Sequence, residues 1–200
     1  LGTEKALSAH GLECAVAGHY ATGLGNLQRR NAAEAQQAFE TALKLRRDHL
    51  AEFVGGSEQL VNRVQAGLAI ARFLNGEIEA IKSMESALAN AEAVGDDYTV
   101  AFISQALGEG YTRLGDFERA KQNLDTALEY YRRNDMRPYV ARGLQSLVYW
   151  YEQQGRGEEA EQARTEARRL IEELPQPQVR QLSSLVLAPD EPPPSRPAGA

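Results

Sequence analysis

Cysteine occurs once, at Cys14, so the chain cannot close an internal disulfide and carries no sign of an oxidising compartment. Valine, isoleucine and threonine are sparse beside alanine, leucine, glutamate, glutamine and arginine, a balance that disfavours strands and favours helices throughout. No apolar run approaches the roughly twenty residues needed to cross a bilayer, and no basic segment followed by an apolar one marks a leader. A soluble, cytoplasmic chain without a membrane partner is therefore expected. Basic residues number 22 and acidic ones 28, interspersed to give a net charge of −6, which argues against a nucleic-acid-binding stripe.

The signatures of catalysis are missing as well. The chain has no P-loop, no nucleophile beside a base and no paired carboxylates outside its repeat pattern, so no enzyme activity is expected of this region. His10 and Cys14, four residues apart, can share a helix face, but two ligands do not make a zinc site, and His19 and His49 are not spaced to complete one. Cys14 is expected to be a small core residue. Gly23-Leu24-Gly25 lacks the preceding strand and the third glycine of a dinucleotide loop. Gly95-Asp96-Asp97 lacks the further oxygen ligands of a calcium loop, and is read instead as a helix end followed by a cap for the next helix. Neither cofactor nor metal is expected.

What the chain does have is a repeat. In residues 107–128, Leu107, Tyr111 and Leu114 recur at helical spacing, Gly115-Asp116 breaks the pattern, and Phe117, Ala120, Leu124, Ala127 and Leu128 resume it. This predicts two helices and a turn, each helix with an apolar stripe that it cannot cover alone. Gly108 and Ala120 are small where the pair must approach closely. A shift of forty residues brings Gln65, Gln105 and Gln145 into register, together with Ala80, Ala120 and Ala160, and with Ala87, Ala127 and Ala167. The same shift aligns Leu74 with Leu114, Tyr111 with Tyr151, and Gly115 with Gly155. An earlier copy stands forty-five residues before the second, with Gly23, Ala35, Phe39 and Ala42 in the places that Gly108, Ala120, Leu124 and Ala127 hold in the third. Its extra residues are assigned to the connection from Asp48 to Ser57.

This pattern of Leu-Gly, Tyr, Gly, Ala, an apolar residue and Ala resembles the tetratricopeptide repeat (TPR), in a variant longer than the usual unit of about thirty-four residues. The resemblance covers residues 12–174 and implies an all-α fold, a right-handed superhelical solenoid of antiparallel helix pairs over residues 12–56, 57–95, 96–135 and 136–174. Residues 1–11 are read as the remnant of a preceding segment or as an N-terminal extension, because the chain begins without an initiator methionine and is expected to be a piece of something longer. Residues 175–187 are read as a capping helix and the proline-rich residues 188–200 as a disordered tail. Leu12, Val16, Tyr20, Leu24 and Leu27 should face inward from the first helix; Ile78, Ile81, Met84, Leu88 and Ala91 from the fourth; and Leu144, Leu147 and Val148 from the seventh. Arg164 and Arg168 replace apolar residues in the last pair, the polar outer face that a terminal repeat requires.

In TPR proteins the first helix of each pair lines a concave groove. The resemblance implies that Asn62, Gln65, Arg72, Gln105, Glu109, Arg113, Arg142, Gln145, Tyr149 and Glu152 face it here. Gln65, Gln105 and Gln145 would form a ladder of amides able to pair with the main chain of an extended peptide, since each offers donor and acceptor groups. TPR proteins that grip a peptide's terminal carboxylate carry lysine and asparagine at groove positions that hold glutamine, alanine, glutamate and tyrosine here. The long repeat is also similar to the C-terminal TPR segments of bacterial signalling ATPases and of LuxR-type or cyclase-linked regulators, and repeats of similar length occur in kinesin light chains and bacterial peptide-sensing regulators. The implied role is a non-catalytic module that binds a protein or peptide and informs an upstream domain. Homotypic assembly, and service as the regulatory part of a multidomain enzyme, stay open as alternatives.

Overall fold

The computed structural model describes residues 9–49 and 58–175. Within them the chain is helical without a strand: α1 (Ala9–Gln28), α2 (Ala32–Asp48), α3 (Glu58–Leu74), α4 (Ala80–Ala93), α5 (Asp97–Leu114), α6 (Phe117–Arg133), α7 (Arg137–Glu152) and α8 (Gly157–Glu172). The connection over 50–57, the capping segment beyond Pro175 and the tail at 188–200 lie outside the described residues.

One device ends six of the eight described helices. The N–H groups of Asn31, Glu77, Asp96, Asp116, Met136 and Arg156 reach back to the carbonyls of Asn26, Arg72, Ala91, Tyr111, Tyr131 and Tyr151, each at 2.9 or 3.0 Å. Each bond closes a Schellman turn around a residue of positive φ and satisfies a carbonyl that the helix leaves free. Gly76, Gly95, Gly115 and Gly155 fill that position in four of the turns, whereas Arg30 (φ 62°) and Asp135 (φ 49°) fill it in the others. A side chain there is strained and glycine is not. Arg30→Gly is therefore expected to raise stability by about 0.5–1 kcal/mol in chemical denaturation; a loss would show that the Arg30 side chain contributes more than its backbone costs. Helix starts are less uniform. Asp116 caps α6, its carboxylate accepting from the N–H of Arg119 at 3.2 Å and from its guanidinium at 2.6 Å. Those two bonds, the guanidinium's first, hold the Asp116 carboxyl below its usual value. Pro138 occupies the first turn of α7, as its missing N–H allows.

The helices form two units, residues 1–96 and 97–200. In the first, α1 packs on α2, α2 on α3 and α3 on α4, with α1 also touching α3. Phe39 is its centre. The ring is fully buried and occupies the space that a Cβ on Gly23 or Gly67 would need, 2.5 Å away in either case. Leu12, Val16 and Leu27 are buried from α1, and Ile81, Met84 and Ala91 from α4. Two expectations need correction. Cys14 is exposed, because it lies two residues from both Leu12 and Val16, roughly 200° around the helix from the packing stripe. Ile78 is 51% exposed, because α4 begins only at Ala80. Before it runs a tighter turn in which Ala80, Ile81 and Lys82 bond the carbonyls three residues back, which carries Ile78 off the α4 face. α1 also starts earlier than read, at Ala9, taking in part of the stretch assigned to a remnant.

The same unit holds an ion pair invisible to any sequence pattern. Arg63 donates from Nε to one Asp96 oxygen at 2.8 Å and from a terminal nitrogen to the other at 2.9 Å. The Asp96 side chain is 4% exposed.

In the second unit α5 packs on α6, α6 on α7, α7 on α8, and α5 on α7. Leu124 fills the hollow left by Gly108, where an added Cβ would fall 2.5 Å from Leu124 Cγ and 3.2 Å from the Ala120 carbonyl oxygen. Leu128 fills the corresponding hollow at Gly143. Trp150 is buried and donates its indole N–H to the Phe117 carbonyl at 2.9 Å, tying α7 to the start of α6. α8 buries Ala160, Ala163 and Ala167. Its Arg164 bonds the carboxylates of Glu152 and Glu161, while Arg168 comes within 3.6 Å of Glu161.

Candidate functional site

The side-by-side contact of α5 and α7 organises the polar side chains of the second unit. Along α5, Phe102, Ala106, Glu109 and Arg113 are the residues left partly or wholly accessible at one-face spacing; along α7 the row is Arg142, Gln145, Tyr149 and Glu152. Between the rows lies a buried polar knot. Glu109 Oε1 accepts from the Ser146 hydroxyl at 2.6 Å and from the Gln105 amide at 3.2 Å. Gln105 Nε2 also stands 3.4 Å from Ser146 Oγ. A half-buried carboxylate held by two donors on neighbouring helices fixes the spacing of the rows.

The residues expected to line a groove thus fall into different environments. Gln105 is 3% exposed and its amide is taken up inside the unit, so it lies beneath the surface rather than on it. Gln145 and Tyr149 are half-buried, Arg113 is exposed, and all three have interactions within the molecule. Glu152 turns to Arg164 on α8. In the first unit Asn62 is half-buried and Gln65 exposed. Arg72 is drawn onto α2, where its terminal nitrogen donates to Glu40 at 3.2 Å; one turn away the Asn75 amide donates to Gln36 at 2.6 Å. The Gln36 amide and then Arg72 hold the Glu40 carboxyl below its usual value. Arg72 and Glu152 therefore serve contacts between helices.

Two neighbours of the α5–α7 knot were not singled out in the sequence. Phe102 stands seven residues before Glu109 on the same face, a spacing that could have revealed it. Tyr131 is fully buried on α6, its ring 5.3 Å from that of Tyr139 on α7. Its hydroxyl has no hydrogen-bond partner, and burial pushes its pKa upward, opposed chiefly by the charge of Arg142. No pattern of residue types predicts an orphaned hydroxyl.

Among the described residues no group of three or more histidine, cysteine, aspartate and glutamate side chains is placed to hold a metal, and no helix is long and apolar enough to cross a membrane. His10 Nε2 lies 3.6 Å from Cys14 Sγ beside a cavity of about 230 Å³ that Glu13, Val16, Ala17, Arg46 and Leu60 also line.

No family model and no curated protein matches the chain. Its fold does have a counterpart. The crystal structure of BtubC (BKLC) from P. vanneervenii is similar, with a TM-score of 0.60 and 18% identity over 94% of this chain and 97% of that one. At that identity the likeness concerns the helical fold and not the chemistry of the groove residues.

Proposed function

We propose that the chain is a TPR-like array of helix pairs that binds an extended peptide or protein segment without catalysing a reaction, and that it serves as the interaction region of a larger regulatory protein. The observation that carries this reading is the pair of accessible rows on α5 and α7, Phe102 to Arg113 and Arg142 to Glu152, held at fixed separation by the Glu109–Ser146–Gln105 knot. Rows of polar groups with one aromatic ring each, on two rigid helices, suit a chain that brings its own main-chain donors and acceptors. The recurrence at forty residues and the repeated Schellman turns support the solenoid part of the reading. An array of this kind needs no cofactor, and the groove chemistry favours neither nucleic acid nor membrane.

The test uses peptides selected by the intact chain from a random library. Replacing Gln145 with glutamate and Tyr149 with alanine together should weaken their binding about tenfold or more, a change of roughly 1.4 kcal/mol, while the circular dichroism spectrum stays helical. Equal binding by the wild-type chain and the folded double variant would remove the α5–α7 groove as the site.

A further inference from the structure

Asn75 is the one asparagine in the chain followed by glycine, and the pair forms the Schellman turn that ends α3. In an Asn-Gly sequence the glycine main-chain nitrogen can attack the side-chain carbonyl carbon of the asparagine, because glycine has no Cβ to hinder the approach. The new N–C bond closes a succinimide ring, the glycine nitrogen gives up its proton, and the side-chain nitrogen leaves as ammonia. Water then opens the ring, to aspartate when it cuts at the side-chain carbonyl and to isoaspartate when it cuts at the main-chain carbonyl. No oxidant or enzyme is required.

Here the fold restrains both reacting groups. The Gly76 N–H donates to the Phe73 carbonyl at 3.0 Å and the Glu77 N–H to the Arg72 carbonyl at 3.0 Å, with Gly76 held at φ 96°. The Asn75 amide donates to Gln36 Oε1 on α2 at 2.6 Å. Asn75 and Gly76 are both exposed, so water reaches them. Attack needs the glycine nitrogen released from its bond and the side chain released from Gln36, so the reaction waits on local opening of the turn.

The product matters because of what Gln36 joins. Its Oε1 accepts from Asn75 while its Nε2 donates to Glu40 at 3.0 Å, and Glu40 accepts from Arg72 at 3.2 Å, so a chain of bonds fastens the end of α3 to α2. A carboxylate at position 75 can only accept. It would face the Gln36 carbonyl oxygen, and turning the Gln36 amide over would move the mismatch to Glu40. It would also place negative charge at the carbonyl end of α3, where the helix dipole disfavours it.

We propose that Asn75 is a site of spontaneous deamidation, held back by the α3 turn and by Gln36, and that its conversion to aspartate or isoaspartate unfastens α3 from α2.

The experiment incubates the full chain for weeks in mildly alkaline buffer at body temperature and follows position 75 by peptide mass spectrometry, with a synthetic peptide of residues 73–82 as the unrestrained reference. Aspartate and isoaspartate should accumulate at position 75 in the chain, more slowly than in the peptide, and the slowing should match the protection of the Gly76 amide against hydrogen exchange. Gln36→Ala, with its circular dichroism still helical, should deamidate several-fold faster than wild type. Asn75→Asp tests the consequence separately: it should melt below wild type, and should lose less in the Gln36→Ala background, where the fastening is already gone. Conversion in the folded chain as fast as in the peptide, or unchanged by Gln36→Ala, overturns the restraint. No conversion at position 75 in either chain while the peptide converts fully overturns the site. An Asn75→Asp chain that melts with wild type, or loses equally in both backgrounds, overturns the link to α2.

Discussion

Arg63→Ala is expected to cost about 3 kcal/mol of folding stability, the low end of the range for stripping one partner from a buried ion pair. The low end applies because the Arg63 side chain is 32% exposed, whereas Asp96 is nearly sealed from solvent. Removing the guanidinium leaves a buried carboxylate without its two bonds at 2.8 and 2.9 Å. Water cannot fully replace them, although Asp96 keeps its other interactions within the molecule, so the cost is that of a nearly sealed carboxylate losing its guanidinium. The prediction is sharpest as a cycle. Asp96→Asn keeps the shape but removes the charge, so Arg63→Ala should be much less damaging in that background, and the coupling should exceed about 1 kcal/mol. An exposed pair would give a coupling of only a few tenths of a kcal/mol. Urea unfolding of the four proteins decides between them, and a cost below about 1 kcal/mol for Arg63→Ala would show that the other interactions of Asp96 suffice to hold its charge.

That pair also marks the limit of what could be read from residue order. The helices were legible because each states its own period, and the turns because Gly76, Gly95, Gly115 and Gly155 sit where a left-handed residue ends a helix. The small residues were legible for a related reason. Ala80, Ala120 and Ala160 recur forty residues apart, and Gly23 and Gly108 stand where a neighbouring side chain, Phe39 or Leu124, fills the space beside them. Side-chain direction across non-adjacent helices was not legible. Repeat register assigns Gln65, Gln105 and Gln145 one role, yet Gln105 is 3% exposed while Gln65 is exposed and Gln145 half-buried. The difference lies in the second unit's own contacts, where Ser146 and Glu109 draw the Gln105 amide inward. Cys14 failed for a simpler reason: a helix as apolar around its circumference as α1 gives no clear phase, so a small residue on the outside looks like one on the inside.

Ala120→Trp should be the most damaging substitution in the second unit, because it places the largest side chain where α5 and α6 approach closely at Gly108. Ala120 has no exposed surface, and its carbonyl oxygen would lie only 3.2 Å from a Cβ built on Gly108. An indole there has nowhere to go without separating α5 from α6 or expelling Leu124, itself fully buried. Overpacking by a few methylenes costs about 1–3 kcal/mol, and the step from a methyl to an indole exceeds a few methylenes, so a loss of about 3 kcal/mol or more is expected. Gly108→Ala tests the same contact with a smaller step. Its added methyl meets Leu124 Cγ at 2.5 Å, and a loss of about 1–2 kcal/mol should follow, since a fully buried leucine has little room to yield. Combining Gly108→Ala with Leu124→Ala should recover part of the loss, because the shortened side chain makes room for the new methyl. Separation of this kind is reported by thermal melting and by amide exchange along α5 and α6. A melting curve for Ala120→Trp that overlays wild type would mean that the two helices do not meet at Gly108 and Ala120, and that the repeat register built on those positions is wrong.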